Sequence, residues 1–306
     1  MRLASFNVLH GRSLADGQVS TARLVEACVS LDADVLCLQE IDRGQGRSGS
    51  VDQTAAVAEG MGAEHWRFEP AIVGEPGGDW RAAEGSDSMP PVPGDDGGRG
   101  DPRTQGWGTH PSEVASGGSP ACYGVGLVSR LPVLAWSVMR LPAPRFRSPV
   151  VVPGGRGGRT GVILLPDEPR VGLAAIVVAP GGPMLVASTH LSFVPGWNLW
   201  QLRRLTRNLS RLALSGVLLG DLNVPGGFPR WISGWRSLGA VKTFPADRPT
   251  LQIDHALGFG SLPEVTGVAA RRMAVSDHRA LVVDLADEAK GAGPSPPTPE
   301  RRSDGR

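Results

Sequence analysis

The stretch Gly220-Asp221-Leu222-Asn223-Val224-Pro225 follows the apolar run 215–219, which predicts a short buried strand that ends in a turn. Asp221 and Asn223 are two positions apart, so their side chains project to the same side of an extended chain. Together they offer an acceptor and an amide donor that can hold a water molecule or a phosphate oxygen. Asp, Asn, Pro and Gly are also the usual residues of a turn leaving a core strand. The stretch alone leaves both interpretations open.

The composition indicates a globular chain without a strong preference for a charged partner. The sequence has 306 residues, of which 41% are hydrophobic and 20% are charged, and its formal net charge is +1. This length suffices for one large or two ordinary domains. A net charge near zero gives no global field that would drive nonspecific binding to nucleic acid. That argues against a bulk DNA- or RNA-degrading enzyme without excluding one.

Cysteine usage and the amino terminus bear on the compartment. Cys28, Cys37 and Cys122 are widely spaced, and the first two lie in apolar patterns, which predicts buried thiols in a reducing compartment. No Cys/His pair has the spacing of a zinc site. The amino terminus lacks the apolar region of a signal peptide, and no run approaches the roughly 18 apolar residues of a membrane span. We expect a cytoplasmic monomer without a transmembrane segment.

Apolar patterning predicts more strands than helices, with both hairpin-like and strand–helix–strand connections. The predicted helices cover residues 21–31, 51–61 and 198–214. The predicted strands cover 2–9, 34–41, 65–68, 122–130, 133–141, 171–178, 184–189, 215–219, 252–257 and 280–285. This mixture favours an α+β fold with mixed sheets flanked by helices over a purely parallel sheet. The arginines of the third helix are interpreted as a solvated face rather than a nucleic-acid patch.

Three segments depart from this patterning. From about Gly74 to Pro120 the chain is dominated by Gly, Pro, Ser and Asp, which predicts a disordered or weakly ordered insertion in a loop. Residues 145–161 predict a second Gly/Arg/Pro loop. The Pro-rich segment 287–306 predicts a disordered tail. We therefore predict one domain over residues 1–286, followed by that tail.

Polar and titratable side chains gather where the predicted strands stop, as in catalytic sites built at one rim of a sheet. Each of them alone has an ordinary explanation as a turn residue, a cap or a solvated strand end. Their coincidence at several strand ends favours one shared site. The residues are Asn7, Glu40, His190, Asp221, Asn223, Asp254, Asp277 and His278.

These residue types suit metal-assisted attack of water on a phosphate ester. The oxygens of Glu40, Asn7 and Asp277 match Mg²⁺ or Mn²⁺, which take further ligands from water and substrate phosphate. The metal would neutralise charge on the phosphoryl oxygens. An Asp254–His278 pair would fix the tautomer of the imidazole and favour its cation beside a phosphate. No serine elbow, phosphate-cradling glycine loop or dinucleotide fingerprint is present.

At these residues the sequence resembles the endonuclease/exonuclease/phosphatase superfamily, the deoxyribonuclease-I-like fold, and within it a bacterial subgroup of uncertain substrate. The motifs occur in family order and span nearly the whole predicted domain outside the insertion. They are Ser5-Phe6-Asn7, Leu38-Gln39-Glu40, Gly124 to Arg130, Ser188-Thr189-His190-Leu191, Gly220-Asp221-Leu222-Asn223, Ile253-Asp254-His255 and Ser276-Asp277-His278. One departure is His255, at a position that is usually aromatic in the family.

The resemblance implies a four-layer α/β-sandwich, in which two packed mixed β-sheets are flanked by helices. It also implies divalent-metal hydrolysis of phosphate esters. Glu40 would be the main metal ligand, with Asn7 and Asp277 nearby. Asp221 would orient or deprotonate the attacking water, and Asn223 would hold that water or a phosphate oxygen.

The resemblance assigns the two histidines to the substrate. His278, paired with Asp254, would contact the scissile phosphate. His190 would bind phosphate or assist the leaving group. Arg43 would reach a phosphate or form a surface salt bridge.

The substrate is left open by the sequence. A near-zero net charge and the lack of a basic stripe slightly favour a small-molecule phosphate ester or a lipid headgroup over nucleic acid. A DNA endonuclease or exonuclease of the same fold is the alternative. A catalytically silent binding scaffold is an alternative of another class, although every expected site position is filled.

Overall fold

A computed structural model of the chain describes residues 1–88, 120–144, 147–152 and 161–286. Two large β-sheets dominate it, with seven and six strands, and a separate two-stranded sheet accompanies them. The strands are β1 (Arg2–Asn7), β2 (Val35–Arg43), β3 (His65–Gly74), β4 (Trp80–Ala82), β5 (Cys122–Ser129), β6 (Val133–Leu141), β7 (Arg147–Val152), β8 (Gly161–Pro166), β9 (Arg170–Ala179), β10 (Gly182–His190), β11 (Gly216–Asp221), β12 (Arg236–Ser237), β13 (Asp254–Phe259), β14 (Val265–Arg271) and β15 (Ala280–Leu285). The α-helices are α1 (Thr21–Val29), α2 (Gln53–Met61), α3 (Trp197–Leu209) and α4 (Phe228–Ser233).

Both large sheets are mixed. The seven-stranded sheet has the order β14-β15-β1-β2-β5-β3-β4, and the six-stranded sheet has the order β12-β13-β11-β10-β9-β6. Within each large sheet one neighbouring pair is parallel, β1 with β2 and β10 with β11. Within the described part of the chain, β7 and β8 pair only with each other.

Three apolar clusters hold the layers together. The central cluster packs Leu3 and Leu127 of the first sheet against Leu173 and Val217 of the second. A second cluster packs α1 and α2 on the outer face of the seven-stranded sheet, and a third packs the buried leucines of α3 on the outer face of the six-stranded sheet. Helices therefore cover two face-to-face sheets, and the predicted fold class is confirmed. None of the helices within the described ranges is long and apolar enough to cross a membrane.

Local signals fix the helix ends. The Ser20 side chain accepts a hydrogen bond from the backbone N–H of Arg23 at the start of α1, and Asp52 caps α2 in the same way at Ala55. The third predicted helix ends at Leu209 rather than at residue 214. Its buried leucine face stops there, since Leu214 beyond it is 96% exposed.

Part of the predicted insertion is ordered. Residues 74–88 contain β4, which pairs with β3, and a short 3-10 turn at Gly85–Asp87. Arg81 forms a two-bond ion pair with Asp87, and Ser88 donates a hydrogen bond to the buried Glu69. Backbone hydrogen bonds to β3 and the Arg81–Asp87 ion pair stabilise this segment. Apolar periodicity in the sequence therefore did not predict that it is ordered. Residues 89–119 of the insertion and the predicted tail 287–306 lie outside the described residues.

The other predicted loop, 145–161, contains β7, while its residues 145–146 and 153–160 are outside the described ranges. Strand β14 was also missed by the sequence pattern. It lies at the edge of its sheet, and all of its residues are exposed or partly buried, so the alternation that marks a core strand is weak.

The strands bring the predicted site residues to one rim. Asn7 ends β1 opposite Gln39 of β2, and His190 ends β10 opposite Asp221 of β11. Asp221 also faces Asp254, which begins the antiparallel strand β13. One rim of each sheet therefore contributes to the same region.

Candidate active site

Asn7 connects the two sheets at the rim. Its Nδ2 atom donates to Glu40 Oε1 at 2.9 Å and to Asp221 Oδ2 at 3.1 Å. Its Oδ1 atom accepts a hydrogen bond from the backbone N–H of Leu9 at 3.2 Å. The observed contacts of Asn7 are thus those of a bridge between two carboxylates. The metal-ligand role that the sequence suggests for Asn7 stays a prediction.

Glu40 leaves the strand ladder at a β-bulge. The register between β2 and β5 shifts between Gln39 and Ile41, and Glu40 itself has φ 56°, in the left-handed region. Such a conformation is costly for a residue with a side chain and persists where the surroundings impose it. Next to it, Gln39 is buried between the sheets, where it contacts Ser5 and Ser188. The bulge turns the Glu40 carboxylate away from that buried seam and toward Asn7.

The electrostatic setting of Glu40 suits a cation ligand. Burial raises the pKa of Glu40, the Asn7 hydrogen bond lowers it, and the charge of Asp277 raises it again, for a net increase. Asp277 is partly buried, and its carboxylate accepts no hydrogen bond from the described residues. A divalent cation would stabilise two carboxylates that lie this close and repel each other.

The opening stretch is both a turn and part of the site. The backbone N–H of Asn223 donates to Asp221 Oδ1 at 3.0 Å, which is the Asx turn, and Asn223 has φ 51°. The Asn223 amide donates to the Leu191 carbonyl at 3.0 Å and lies 3.2 Å from His190 Nε2. From behind, Asn198 of α3 donates to the Asn223 carbonyl at 2.8 Å. The turn interpretation is therefore confirmed, and the role of Asp221 and Asn223 in holding a water molecule or a phosphate oxygen stays a prediction.

His278 is held as a cation. Its Nδ1 atom lies 2.9 Å from Asp254 Oδ2, and its Nε2 atom lies 3.6 Å from Asp221 Oδ2. Burial lowers the pKa of His278, but the charge and hydrogen bond of Asp254 and the charge of Asp221 outweigh it and raise the pKa to about 10. Thr243 also donates to the same oxygen of Asp254. The pair thus presents a protonated Nε2 toward Asp221.

His190 has the opposite character. Its Nε2 atom lies 3.6 Å from Asp221 Oδ2, and its Nδ1 atom lies 3.4 Å from Nη1 of Arg170. Burial, and then the charges of Arg170 and His278, hold the pKa of His190 well below its ordinary value. The imidazole is therefore neutral at physiological pH. Arg170 is itself fixed by Asp167, which lies 2.7 Å from its Nη2 atom.

Asp221 stands between the two histidines. Burial and the charge of Asp254 raise its pKa to about 7, against the lowering effects of His278 and of the hydrogen bonds from Asn223 and Asn7. A carboxylate with a pKa near the working pH is well matched to general-base catalysis.

A second set of residues could also hold a metal by spacing alone. Ligand atoms of Asp221, Asp254 and His278 all lie within 4.8 Å of one another. A protonated imidazole has no lone pair for a metal, however, and His278 is the charged partner of Asp254. This trio could hold a cation only if His278 lost its proton, because metal ligands must be deprotonated.

Sequence analysis missed several residues around Glu40. Tyr123 faces Asp42 across the β2–β5 ladder, and burial, with the charges of Glu40 and Glu168, raises its pKa well above the ordinary value. Arg47 makes two hydrogen bonds to the fully buried Asp42, at 2.7 and 2.9 Å, with its Cζ atom 5.7 Å from the Tyr123 ring centroid. In the sequence, the charged residues just before β9 were a signal for Glu168, but not for Tyr123 or Arg47.

The contacts of Arg43 and His255 bear on two other features of the sequence. Arg43 stacks over the Phe68 ring at 4.7 Å and lies near the Asp87 carbonyl and Cys122, and it forms no salt bridge with the described residues. Its contact with a phosphate stays a prediction. His255 is buried, with Nε2 2.8 Å from the Val224 carbonyl. It thereby ties β13 to the loop that follows Asn223.

Comparison with known proteins agrees with this geometry. The sequence model of the Endonuclease/Exonuclease/phosphatase family matches residues 4–278. No curated protein matches the sequence. An endonuclease/exonuclease/phosphatase from Beutenbergia cavernae DSM 12333 has a similar structure, with a TM-score of 0.57 and 20% identity over 93% of this chain and 71% of that one.

Two further solved structures are similar at lower identity. An endonuclease/exonuclease/phosphatase family protein from Leptotrichia buccalis C-1013-b has a TM-score of 0.55 and 13% identity over 94% of this chain and 99% of that one. ANGEL2, a 2′,3′-cyclic phosphatase, has a TM-score of 0.53 and 15% identity over 92% of this chain and 93% of that one. These identities show a shared fold, whereas the family match extends from β1 to His278. The chain therefore belongs to the Endonuclease/Exonuclease/phosphatase family.

Proposed function

We propose that the chain hydrolyses phosphate esters with the help of Mg²⁺ or Mn²⁺. The observation that carries this proposal is the Asn7 amide, which joins the Glu40 carboxylate of one sheet to the Asp221 carboxylate of the other. That bridge brings a candidate cation ligand and a candidate base next to each other.

Glu40 would hold the cation, with Asp277 and Asn7 beside it. When bound, the cation neutralises charge on the phosphoryl oxygens and favours departure of the leaving oxygen. The fit rests on the partly buried Glu40 carboxylate, whose hydrogen-bond partner among the described side chains is one neutral amide.

The chain's own groups divide the remaining work. Asp221 accepts a proton from the attacking water, and Asn223 orients that water or a phosphate oxygen. The His278 cation, maintained by Asp254, donates toward a phosphoryl oxygen. His190 is neutral, so we assign it to phosphate binding rather than to protonation of the leaving group.

The substrate class within this proposal is a small phosphate ester or a lipid headgroup. One structural neighbour is described as a 2′,3′-cyclic phosphatase, which keeps cyclic phosphodiesters among the substrates to test. The alternatives are a DNA nuclease of the same fold and a catalytically silent scaffold.

The test is a substrate panel assayed with Mg²⁺, with Mn²⁺ and with EDTA. The panel holds plasmid, abasic duplex, RNA, sphingomyelin, inositol phosphates and a 2′,3′-cyclic nucleotide. We expect metal-dependent turnover that falls by about 10²-fold or more in Glu40→Gln and in His278→Ala. Glu26→Gln, a change at an exposed position of α1, is the matched control and should leave turnover unchanged.

The same panel separates the alternatives. Plasmid nicking without turnover of the other substrates would contradict the proposed substrate class and support the hypothesis of a DNA nuclease. Turnover that persists in EDTA would contradict the metal requirement. If the wild-type protein turns over no substrate and Glu40→Gln changes no phenotype of the host, the scaffold reading holds instead.

A further inference from the structure

Two apolar segments flank the candidate site. One is residues 193–197, Phe-Val-Pro-Gly-Trp, shortly after His190 and leading into α3, and the other is residues 224–232, Val-Pro-Gly-Gly-Phe-Pro-Arg-Trp-Ile, directly after Asn223 and including most of α4. Arg230 is the one charged residue in either segment. The segments adjoin the site through Asn223, which donates to the Leu191 carbonyl at 3.0 Å and accepts from Asn198 at 2.8 Å. The mouth of the site thus has an apolar border.

Aromatic side chains on this border are exposed. Trp231 is 80% exposed, Phe228 is 64% exposed, and Trp200, on the adjoining helix α3, is 41% exposed. Trp200 lies beside Trp197, with ring centroids 4.9 Å apart. Isolated exposed apolar residues are common, but several large aromatic residues on two adjoining helices mark an interaction surface. We call Trp197, Trp200, Phe228 and Trp231 the aromatic border.

The chain segment that contains the aromatic border is positively charged. Between residues 191 and 245 the only acidic residue is Asp221, which is buried in the site. Arg204 lies over the Trp200 ring, with its Cζ atom 5.7 Å from the centroid. The cations of this segment are Arg203, Arg204, Arg207, Arg211, Arg230, Arg236 and Lys242, all of them exposed. A segment of one sign on a chain of net charge +1 is complementary to an anionic partner.

We propose that this face docks on an anionic lipid surface. Exposed Trp and Phe side chains settle at the headgroup level of a bilayer, and arginines beside them attract anionic lipids. Nucleic acid is the other anionic surface to weigh. Its recognition uses many polar side chains to phosphates and base edges, whereas the two segments at the mouth offer Arg230 alone, and the other cations of the chain segment lie outside them. The apolar and aromatic composition of the two segments therefore favours lipid.

Docking in this way would set the mouth of the site against the membrane. The inference goes beyond hydrolysis, because binding to a vesicle requires no turnover. It can therefore be measured on Glu40→Gln in EDTA, so that a failure of the proposed chemistry and a failure of docking give different results.

The test is co-sedimentation with large vesicles of phosphatidylcholine alone or with 30% phosphatidylglycerol, about the anionic content used to mimic a charged membrane surface. We expect binding to the anionic vesicles that weakens with salt and is the same for wild type and Glu40→Gln. A Phe228→Ala/Trp231→Ala double variant should lose about tenfold or more in affinity. Leu134→Ala removes a side chain that is 54% exposed on β6, away from the border, and should bind like wild type.

The charge is tested by a matched pair of single variants. Arg230→Gln should weaken binding about fivefold, as expected for one cation near an anionic surface, whereas Arg248→Gln, also exposed, should not. Fluorescence adds a direct readout, since brominated lipid should quench wild-type tryptophan emission more than that of Trp231→Phe.

Several outcomes would overturn the proposal. The first is that the wild type does not bind anionic vesicles, and the second is that the double variant binds them as tightly as the wild type. The third is that the protein binds an oligonucleotide but not vesicles, and that the double variant and Arg230→Gln weaken the binding of the oligonucleotide. The last result would assign the face to nucleic acid. Because the changed side chains are exposed, circular dichroism melting should confirm that every variant is folded before binding is compared.

Discussion

Nδ1 of His278 lies 2.9 Å from Oδ2 of Asp254, and both side chains are buried. Burial disfavours a charged imidazole, so the carboxylate of Asp254 is what keeps this one protonated. The pKa of His278 is thereby raised to about 10. The stabilisation of the fold by the charged His278–Asp254 pair is fully present below the ordinary histidine pKa and is lost as the pH rises through about 10.

Removal of the Asp254 carboxylate should shift the alkaline limb of the pH–activity profile to lower pH. In the wild type we expect kcat/KM to fall only as the pH approaches about 10, where the His278 cation is lost. In Asp254→Asn only the charges of Asp221 and Asp277 oppose the effect of burial, so the fall should occur at a clearly lower pH than in the wild type. The measurement is a pH–rate profile of both proteins.

A control for this profile is Asp284→Asn, which removes a carboxylate paired with Arg2 far from the rim. Its alkaline limb should match the wild type. An Asp254→Asn limb that stays near the wild-type position would show that His278 is not the group that titrates.

In the absence of metal, Glu40 should lower the stability of the folded protein. It is a partly buried carboxylate that is repelled by the charge of Asp277 and has one neutral donor, so Glu40→Gln removes an unfavourable charge while keeping the shape. In EDTA we expect the unfolding free energy to rise by about 1–3 kcal/mol and the Tm by several degrees. Addition of Mg²⁺ should raise the Tm of the wild type and leave that of the variant unchanged.

Thermal melts with and without Mg²⁺ measure both effects. Glu26→Gln should behave like the wild type in each condition, because Glu26 is exposed on α1. A Mg²⁺-dependent shift that survives in Glu40→Gln would place the cation elsewhere, with Asp221 and Asp254 the next candidates.

The strand ends were predictable because each is a local pattern. An apolar run that stops at Asn7, at His190 or at Asp221 shows in the sequence both the strand and the polar group at its end. These strand ends lie in motifs that occur in the order of the family, and that resemblance predicted the two-sheet architecture. The strand pairing confirms it.

The surroundings of Glu40 were not predictable in the same way. Tyr123 reaches this region through the antiparallel register of β5 against β2, and the bulge at Glu40 shifts that register. Local patterning contains neither the register nor the bulge. Strand β4 was missed for a related reason, since the Arg81–Asp87 pair and the ladder with β3 stabilise it rather than an apolar face.

Arg47 and Asp42 should behave as one unit in stability. Asp42 is fully buried, and both of its side-chain oxygens accept hydrogen bonds from Arg47. Arg47→Met would leave a buried carboxylate unpaired and should cost about 3 kcal/mol of unfolding free energy. The Asp42→Asn/Arg47→Met double variant should recover most of that loss.

Urea denaturation of the two single variants and the double variant gives the coupling energy directly. Arg2→Met tests a partly exposed ion pair with Asp284 and should change stability by less than about 1 kcal/mol. Additive losses in the Asp42/Arg47 cycle would show that the pair does not act together.

Gly220 should be required both for space and for its backbone conformation. Its φ is +156°, which residues with a side chain rarely adopt, and a Cβ atom at this position would lie 1.9 Å from the Thr189 carbonyl oxygen on the neighbouring strand β10. Gly220→Ala must therefore push β11 away from β10, next to the pair His190 and Asp221 in the ladder, and we expect a loss of more than about 3 kcal/mol.

Gly226 is the matched comparison, because it has φ +62° but open space around its Cβ position. Gly226→Ala should cost only the left-handed backbone penalty, about 1 kcal/mol. Urea denaturation of both variants measures the difference. Equal losses would mean that the close approach of β10 and β11 relaxes without cost, and the spacing of His190 and Asp221 would then not depend on the glycine.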